Sequence, residues 1–286
     1  MSQFQRILFP VDFSERSTAA APFVHSLAAR NLAELTLLHV IQPPTPMYMG
    51  MDGIYATDCD IPGLKENLQS RLETFAAEQF PRMAVTSVVE YGDPAKTIAD
   101  YAGEHGFGVI MMPTHGYGSF RRLLLGSITA KVLHDTQVPV WTDAHAPEPS
   151  HRAHPQPRRI VCGIDLKADS ARILDFALQT AAATGAAVEV VHCVPEQHSK
   201  AEAVEQYNQI QEMLCEAADK QQVEAEADVN TVLAGGDIAK LLREVALRKR
   251  ADLVVIGRGR IQEALGGLHS HVYSIVRESP CPVISI

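Results

Sequence analysis

The second half of the sequence repeats the first. RILFPVDFS, from Arg6, recurs as RIVCGIDLK from Arg159, and LTLLHVI recurs as VEVVHCV, both 153 residues further on. GDPAKTIADYA, from Gly92, recurs as GDIAKLLREVA from Gly236, and VPVW has a counterpart in CPVISI. Four matches in the same order indicate that one domain has been duplicated. The chain has 286 residues, which is enough for two domains of ordinary size.

Each half alternates short apolar runs, rich in β-branched residues, with longer helical stretches. In the first half, the pattern predicts strands at 6–12, 35–41, 84–90, 107–113 and 138–142, and helices at 15–31, 64–80, 94–105 and 126–135. Strands separated by helices are joined by crossovers, which give a parallel sheet with helices on both faces. The predicted fold class is therefore α/β, with two doubly wound domains of five parallel strands each.

A proline-rich stretch separates the two repeats. Residues 144–157, AHAPEPSHRAHPQP, favour an extended spacer over a packed element. We therefore expect one domain at 1–143, a linker at 144–157 and a second domain at 158–286. The first copy also has a longer loop after its second strand, at 42–63. We expect this loop to pack over a ligand site or against the other half.

Charge and hydropathy argue against two classes of function. The chain has 34 Asp and Glu residues against 25 Lys and Arg, a net charge of −9, which does not favour binding to nucleic acid. It has no apolar run of about 18 residues, the length that a membrane helix needs, and its first residues show no basic region followed by a long apolar run. Its five cysteines lack metal-binding spacing. We expect a cytoplasmic protein with reduced cysteines, no metal site, and neither nucleic acid nor membrane as a partner.

The carboxyl ends of the strands predict where a ligand binds, because doubly wound sheets bind ligands beyond those ends. In the first half, Asp12 ends the first strand, His39 and Val40 end the second, and residues 113–116 follow the fourth. These residues should meet at one crevice. His39 and its counterpart His192 fit buried core positions better than ligand positions.

Glycines after the fourth strand predict a phosphate site. Gly116 lets the backbone approach a ligand, and after nine intervening residues Gly126 and Ser127 begin a helix whose free N–H groups suit phosphate oxygens. The alternative is structural, with Gly126 a turn residue and Ser127 an N-cap. Arg121 and Arg122, between the glycines, fit either phosphate ligands or solvated positions.

These motifs together resemble the universal stress protein family in its tandem form. The resemblance rests on ILFPVDFS, LLHV, GDPAKTIADYA and THGYGSFRRLLLGSITAKVLHDTQVPV, and it covers nearly the whole chain outside the linker and the loop at 42–63. It implies the strand order 3-2-1-4-5 of the adenine-nucleotide α-hydrolase-like fold, an internal pseudo-dimer paired through the last strands, and ATP as the ligand. The implied nucleotide-binding residues of the first domain are Pro10, Val11, Asp12, Val40, Met112, Pro113, His115, Gly116, Gly126, Ser127 and Ile128.

The sequence departs from the family's glycine pattern in both halves. In the first half, Pro113 replaces the opening glycine and removes one N–H donor. In the second half, a histidine and a serine stand where a Gly-Ser pair is expected. We therefore expect nucleotide in the first domain only. The degenerate second site comprises Asp165, Gly257, Gly259, His269 and Ser270. Arg258, inside this motif, fits either a phosphate ligand or a solvated position.

Three functions remain open on the sequence. The first is a stress-response protein that binds ATP, with or without Mg²⁺, and acts in sensing or regulation. The second is an enzyme, at most a slow ATPase, because neither of the common glycine-rich nucleotide motifs occurs and no nucleophile and base adjoin the glycines. The third is an interaction protein with degenerate sites. We predict no catalytic residue, and the sequence leaves open whether the chain forms a homodimer.

Overall fold

The computed structural model describes residues 4–43, 61–114, 125–143, 156–194, 199–221, 228–258 and 271–286. These residues divide into two compact units. Unit 1 holds the described residues up to Thr114 together with residues 127–138, and unit 2 holds the described residues from Pro139 onward. Leu125 and Gly126 also belong to unit 2, because Leu125 packs against the core of that unit.

Unit 1 is built from four parallel strands and four helices. The strands lie in the order β3-β2-β1-β4. The helices pair as α1 with α2 and α3 with α4. Its elements are β1 (Arg6–Pro10), α1 (Glu15–Asn31), β2 (Glu34–Ile41), α2 (Ile61–Gln79), β3 (Val85–Tyr91), α3 (Pro94–Glu104), β4 (Val109–Met112) and α4 (Ser127–Asp135).

Unit 2 contains six strands in the order β5-β10-β9-β6-β7-β8. Strands β8-β7-β6-β9-β10 reproduce the order 3-2-1-4-5, which confirms the doubly wound α/β fold. Its elements are β5 (Val140–Thr142), β6 (Arg159–Ile164), α5 (Ser170–Thr184), β7 (Ala187–Val194), α6 (Lys200–Gln221), β8 (Val229–Gly235), α7 (Ile238–Lys249), β9 (Leu253–Ile256), α8 (His271–Glu278) and β10 (Val283–Ser285). Within the described ranges, no helix combines the length and the apolar composition needed to cross a bilayer.

Strand β5 comes from the end of the first repeat and pairs with the last strand of the second. It runs antiparallel to β10, with Trp141 opposite Ile284. The hydroxyl of Thr142 donates to the carbonyl oxygen of Val283 at 3.3 Å. The expected contact between the last strands of the repeats is therefore present, and it lies inside unit 2. The domain bounds 1–143 and 158–286 stay a prediction.

The two halves share backbone φ angles and helix N-caps at equivalent positions. Phe13 has a φ of 60° and its repeat partner Leu166 has a φ of 59°, both in the left-handed region. Asp93 accepts from the amide of Lys96 at the start of α3, and Asp237 accepts from the amide of Lys240 at the start of α7, both at 3.0 Å. Equivalent turns and caps in both halves show that the sequence repeat is also a repeat of local structure.

The element ends differ from the expected ones at the positions nearest the crevice. Strand β1 ends at Pro10, whereas the sequence pattern predicted an end at Asp12. The reason is local: the Asp12 side chain bonds to the turn that follows it, and Phe13 leaves the extended region. Helix α4 begins at Ser127, one residue later than expected, and β4 is limited to Val109–Met112.

Candidate functional site

The turn after β1 holds a carboxylate at the carboxyl edge of unit 1. Oδ1 of Asp12 accepts from the amide of Ser14 at 2.9 Å and from the hydroxyl of Ser17 at 2.6 Å. The Ser14 hydroxyl in turn accepts from the amide of Ser17 and caps α1. Asp12 remains half-exposed. Its carboxylate is thus oriented by its own turn while staying accessible at the sheet edge.

The second half contains the same turn with a more exposed carboxylate. Oδ1 of Asp165 accepts from the amide of Lys167 at 3.0 Å and from the hydroxyl of Ser170 at 3.2 Å. Nζ of Lys167 also lies 3.6 Å from Oδ2 of Asp165. The aspartate, its turn and the helix that follows therefore form one structural unit that the duplication preserved.

The two strand-end histidines make the same main-chain contact in different surroundings. Nδ1 of His39 lies 2.7 Å from the carbonyl oxygen of Val11, and Nδ1 of His192 lies 3.0 Å from that of Ile164. His39 is half-buried, whereas His192 is 5% exposed. Nε2 of His192 has no hydrogen-bond partner among the described residues. Both rings contact the main chain near the end of the neighbouring strand, but only His192 is buried as expected.

The end of β4 is connected to the first turn of α4. The hydroxyl of Thr129 donates to the carbonyl oxygen of Pro113 at 3.1 Å, and both residues are buried. Pro113 lacks an N–H donor, yet its carbonyl group fixes where α4 starts. Ser127 is exposed as the first residue of α4, and Ile128 beside it is 39% exposed. The helix N-terminus is thus held at the carboxyl edge of unit 1 with its first residues accessible.

The predicted first-site residues differ in accessibility. Pro10, Val11, Met112 and Pro113 are buried, and Val40 is half-buried like Asp12. Strand register brings the carboxyl ends of β1, β2 and β4 to one edge, because all three strands are parallel. Those residues, with Ser127 and Ile128, belong to unit 1, whereas Gly126 belongs to unit 2. His115 and Gly116 lie outside the described residues, as do Arg121 and Arg122.

In unit 2, the glycine that follows β9 is packed against the domain's own core. A Cβ atom at position 257 would lie 2.4 Å from Cδ1 of Ile173, a buried residue of α5. A side chain at this position would therefore force Ile173 or the strand end to shift. In the first repeat, Pro113 is the counterpart of Gly257, and Ala20 takes the place of Ile173. In the first repeat the larger residue of the pair is at the strand end, and in the second repeat it is on the helix.

Arg258 fits neither of the two roles that the sequence left open for it. Its Nε donates to the hydroxyl of Ser285 at 3.2 Å, and a terminal nitrogen donates to the carbonyl oxygen of the same residue at 2.8 Å. Burial, together with the nearby charge of Arg172, lowers the pKa of the Arg258 guanidinium to about 10. Two donors of the Arg258 side chain are thus bonded to Ser285 of β10. Gly259, His269 and Ser270 lie outside the described residues.

Three of the described cysteines have thiols whose pKa is raised. Burial raises the pKa of the Cys162 thiol and that of the Cys281 thiol to about 12 each. Cys193 is half-buried, its pKa is raised by burial and by Asp237, and its Sγ donates to a main-chain carbonyl group at 3.0 Å. Across the part of the chain that the structure describes, no group of His, Cys, Asp and Glu side chains is arranged to hold a metal ion.

Four residues that shape these sites were not singled out from the sequence. Phe13 and Arg71 lie beside the Asp12 turn, and Ile173 and Ser285 contact the loop after β9. The repeat marks the position of Phe13, because Phe13 follows Asp12 as Leu166 follows Asp165, but the left-handed backbone that the two residues share is known only from the structure. The other three act through contacts between distant elements, for which the sequence carries no local pattern.

Comparison with known proteins connects both repeats to one family. A sequence model described as the universal stress protein family matches residues 3–142 and 157–286. A universal stress protein of Thermus aquaticus is 30% identical over 143 residues, which are 48% of this chain and 96% of the relative. Universal stress protein MJ0577 of Methanocaldococcus jannaschii is 25% identical over 150 residues, 48% of this chain and 93% of the relative. Each of these relatives thus has about the length of one half.

One solved structure shares the fold over nearly the whole chain. It is a universal stress protein from Archaeoglobus fulgidus, which covers 98% of this chain and 95% of its own at a TM-score of 0.68. Sequence identity to it is 20%. At that identity the similarity shows a common architecture.

Proposed function

Because the chain belongs to the universal stress protein family, we propose that it binds an adenine nucleotide, ATP, in its first domain and serves as a cytoplasmic sensing or regulatory protein in the response to stress. The proposed domains are residues 1–143 and 158–286, joined by the linker 144–157. The nucleotide is the signal in this proposal, and its hydrolysis is at most slow.

The observation that carries the proposal is the arrangement at the carboxyl edge of unit 1. Asp12 presents a half-exposed carboxylate that its own turn orients. Ser127 begins α4 in an exposed position, and the bond from Thr129 to Pro113 fixes that helix start. Helix N-termini offer unpaired N–H groups and a positive dipole end, which suit phosphate oxygens. A carboxylate suits the hydroxyl groups of a ribose as an acceptor.

The proposed site follows the family resemblance residue by residue. It consists of Pro10, Val11, Asp12, Val40, Met112, Pro113, His115, Gly116, Gly126, Ser127 and Ile128. Asp12 and Val40 supply side chains for the nucleoside, over a floor formed by buried Pro10, Val11 and Met112. Ser127 supplies a hydroxyl donor and the start of a helix for phosphate.

We assign nucleotide to the first domain because the two residues that follow β9 in the second domain, Gly257 and Arg258, make contacts within that domain. Ile173 packs against Gly257, so the backbone there approaches the core of unit 2. Arg258 is hydrogen-bonded to Ser285 and withdrawn from a ligand. Both contacts involve the first two residues after β9, where the family resemblance implies the start of the glycine loop. The second domain then has a structural or partner-binding role.

An interaction protein with no nucleotide is the second candidate, and one observation favours it. Four of the proposed contact residues of the first site, Pro10, Val11, Met112 and Pro113, are buried. A protein that had lost its ligand would keep such residues as core. Under this alternative, the carboxyl edge of unit 1 has only a structural role.

Mass spectrometry of the small molecules released on denaturing the purified protein separates these functions. We expect ATP or another adenine nucleotide at up to one molecule per chain. Calorimetric titration of ligand-free protein with ATP, with and without Mg²⁺, should give one site per chain, and phosphate release should be slow. Protein that carries no nucleotide and gives no titration heat with ATP would favour the interaction protein, whereas rapid phosphate release would favour an enzyme.

A further inference from the structure

Arg71, Phe13 and His39 form a stacked group beside the turn that follows β1. Cζ of Arg71 lies 4.1 Å from the centroid of the Phe13 ring. The centroids of the Phe13 and His39 rings are 4.7 Å apart, with the rings tilted by 42°. Phe75, one helical turn after Arg71 on α2, meets Phe13 edge-on at 6.2 Å. One aromatic ring is thus contacted from α2 and from β2.

The Phe13 ring is attached to a backbone in an uncommon conformation. Its φ of 60° lies in the left-handed region, which bulky side chains seldom adopt. Phe13 stands between Asp12 and Ser14, and the amide of Ser14 donates to the Asp12 carboxylate at 2.9 Å. Fixing the ring therefore fixes the peptide units on both sides of it. The orientation of the Asp12 carboxylate depends on those units.

The neighbouring residues of the same turn are held by other contacts. Val11 donates its amide to the carbonyl oxygen of Leu38 at 2.9 Å, and its own carbonyl oxygen lies 2.7 Å from Nδ1 of His39. His39 therefore contacts both Val11 and Phe13, one residue on each side of Asp12. Arg71 completes the arrangement by placing its cation over the Phe13 ring. The quadrupole of the ring attracts this charge.

The second half keeps the turn and the histidine but lacks the cation and the ring. Leu166 takes the place of Phe13 with the same φ, and His192 makes the same main-chain contact. Nε2 of Gln69 on α2 donates to the carbonyl oxygen of Ser87, and Nε2 of Gln211 on α6 donates to the hydroxyl of Thr231, the repeat partner of Ser87. This equivalence of Gln69 and Gln211 aligns the two helices. It places Met213 where Arg71 stands.

We propose that Arg71 is a positioning residue for nucleotide binding in the first domain: it holds the Phe13 ring, and through it the Asp12 turn, in the conformation that receives the ligand. This inference rests on the proposed function, in which Asp12 contacts the nucleotide. Arg71 itself touches no ligand. Because the second half has leucine and methionine at these two positions, the device belongs to the first domain.

The test compares three variants of the full chain. Arg71→Met removes the charge and keeps an apolar stem, Arg71→Lys keeps a cation, and Lys65→Met removes an exposed charge from the same helix. Two quantities are measured for each: the calorimetric Kd for ATP, and the hydrogen-exchange rate of the Ser14 amide without ligand. The amide of Val109 in β4 reports whether the fold is intact.

We expect Arg71→Met to weaken ATP binding by about two- to fivefold and to speed Ser14 exchange by a similar factor, as for loss of an exposed cation–π contact. Arg71→Lys should restore most of both effects. Lys65→Met should match the parent, and Val109 exchange should not change in any variant. If Arg71 only stabilised the fold as a whole, Arg71→Met would speed exchange of the Val109 amide as well as that of the Ser14 amide.

Two results would overturn the inference. One is parent-like Ser14 exchange and parent-like Kd in Arg71→Met, and the other is an equal change in Lys65→Met. Failure of the proposed function looks different, because the parent itself would then bind no ATP. In that case Ser14 exchange still decides: a selective increase in Arg71→Met shows that Arg71 holds the turn, and no increase shows that it does not.

Discussion

Ile173 occupies the space that a side chain at position 257 would need. Its Cδ1 lies 2.4 Å, and its Cγ1 3.3 Å, from the place of a Cβ atom on Gly257. Real Cβ atoms do not approach other carbon atoms this closely, so either the isoleucine or the strand end must shift when the glycine is replaced. Because Ile173 is itself buried, it has little room to shift.

Gly257→Ala should therefore destabilise the protein by about 1 to 3 kcal/mol, the usual cost of overpacking a core. Chemical denaturation measures the change. Gly103→Ala is the matched control, since a Cβ atom at Gly103 meets nothing within 4 Å, and alanine in a helix interior should be neutral or stabilising. In the Ile173→Ala background, Gly257→Ala should cost much less. Equal costs in both backgrounds would show that Ile173 is not the obstacle.

Gly126→Asp should abolish nucleotide binding, because it places a negative charge where phosphate is proposed to lie. At an effective dielectric constant near 20, two like charges about 4 Å apart repel by about 4 kcal/mol, roughly a thousandfold in Kd. His269→Asp, at the corresponding position of the second copy, should leave the affinity for ATP nearly unchanged. Calorimetric titration of both variants gives the answer. Two sites in the parent, or loss of binding only in His269→Asp, would place the nucleotide in the other domain.

The buried cysteines should resist alkylation in the folded protein. A pKa of about 12 for Cys162 and for Cys281 leaves about one thiolate in ten thousand at pH 8, and iodoacetamide reacts with the thiolate. Exposed Cys215 should be labelled under the same conditions. Peptide mapping by mass spectrometry measures both outcomes, with guanidinium-unfolded protein as the fully labelled reference. Comparable labelling of Cys162 and Cys215 in the native protein would contradict the buried placement.

The N-cap of α3 should make stability depend on acid pH. The pKa of Asp93 is held below its ordinary value of 3.8, mainly because the amide of Lys96 donates to it, and also through Lys131 at 3.7 Å. A lowered folded-state pKa means that the ionised carboxylate stabilises the fold above pH 3.8. That contribution is lost as the pH falls through the folded-state pKa.

Asp93→Asn tests this linkage, because asparagine can cap a helix but carries no charge. The parent should be more stable than Asp93→Asn by about 0.3 to 1 kcal/mol at pH 7, the value of one charge at a helix end. The difference should decrease as the pH falls below 3.8 and should vanish below the folded-state pKa of Asp93. Urea denaturation across this range measures it. A difference that stays constant down to pH 2 would mean that the charge of Asp93 contributes nothing.

The sequence predicted the repeat and the element types, because both can be read from residue patterns along the chain. Apolar runs predict strands, and the matched segments around Asp12 and Asp165 place the same turn in both halves. The resemblance to a family supplied the strand order 3-2-1-4-5. It was found in unit 2, and its first four positions were found in unit 1.

The contacts that shape the sites could not be read in the same way. Arg258 bonds to Ser285, which is 27 positions away, and the sequence does not show that β10 ends beside that arginine. The end of β1 was placed two residues late, because the left-handed backbone of Phe13 depends on hydrogen bonds to the Asp12 side chain. Arg71 lies within an ordinary helix pattern, and only the packing of α2 on the sheet brings it to Phe13.

During protein synthesis, strand β5 is made well before its partner strand β10. The hydroxyl of Thr142 bonds to a carbonyl group 141 positions later in the chain. At about 5 to 20 residues per second, the ribosome needs about 7 to 28 seconds to make that stretch. During this time β5 has no β10 with which to pair, and an unpaired strand edge readily joins other chains. Nascent chains on neighbouring ribosomes would therefore compete with the native partner of β5.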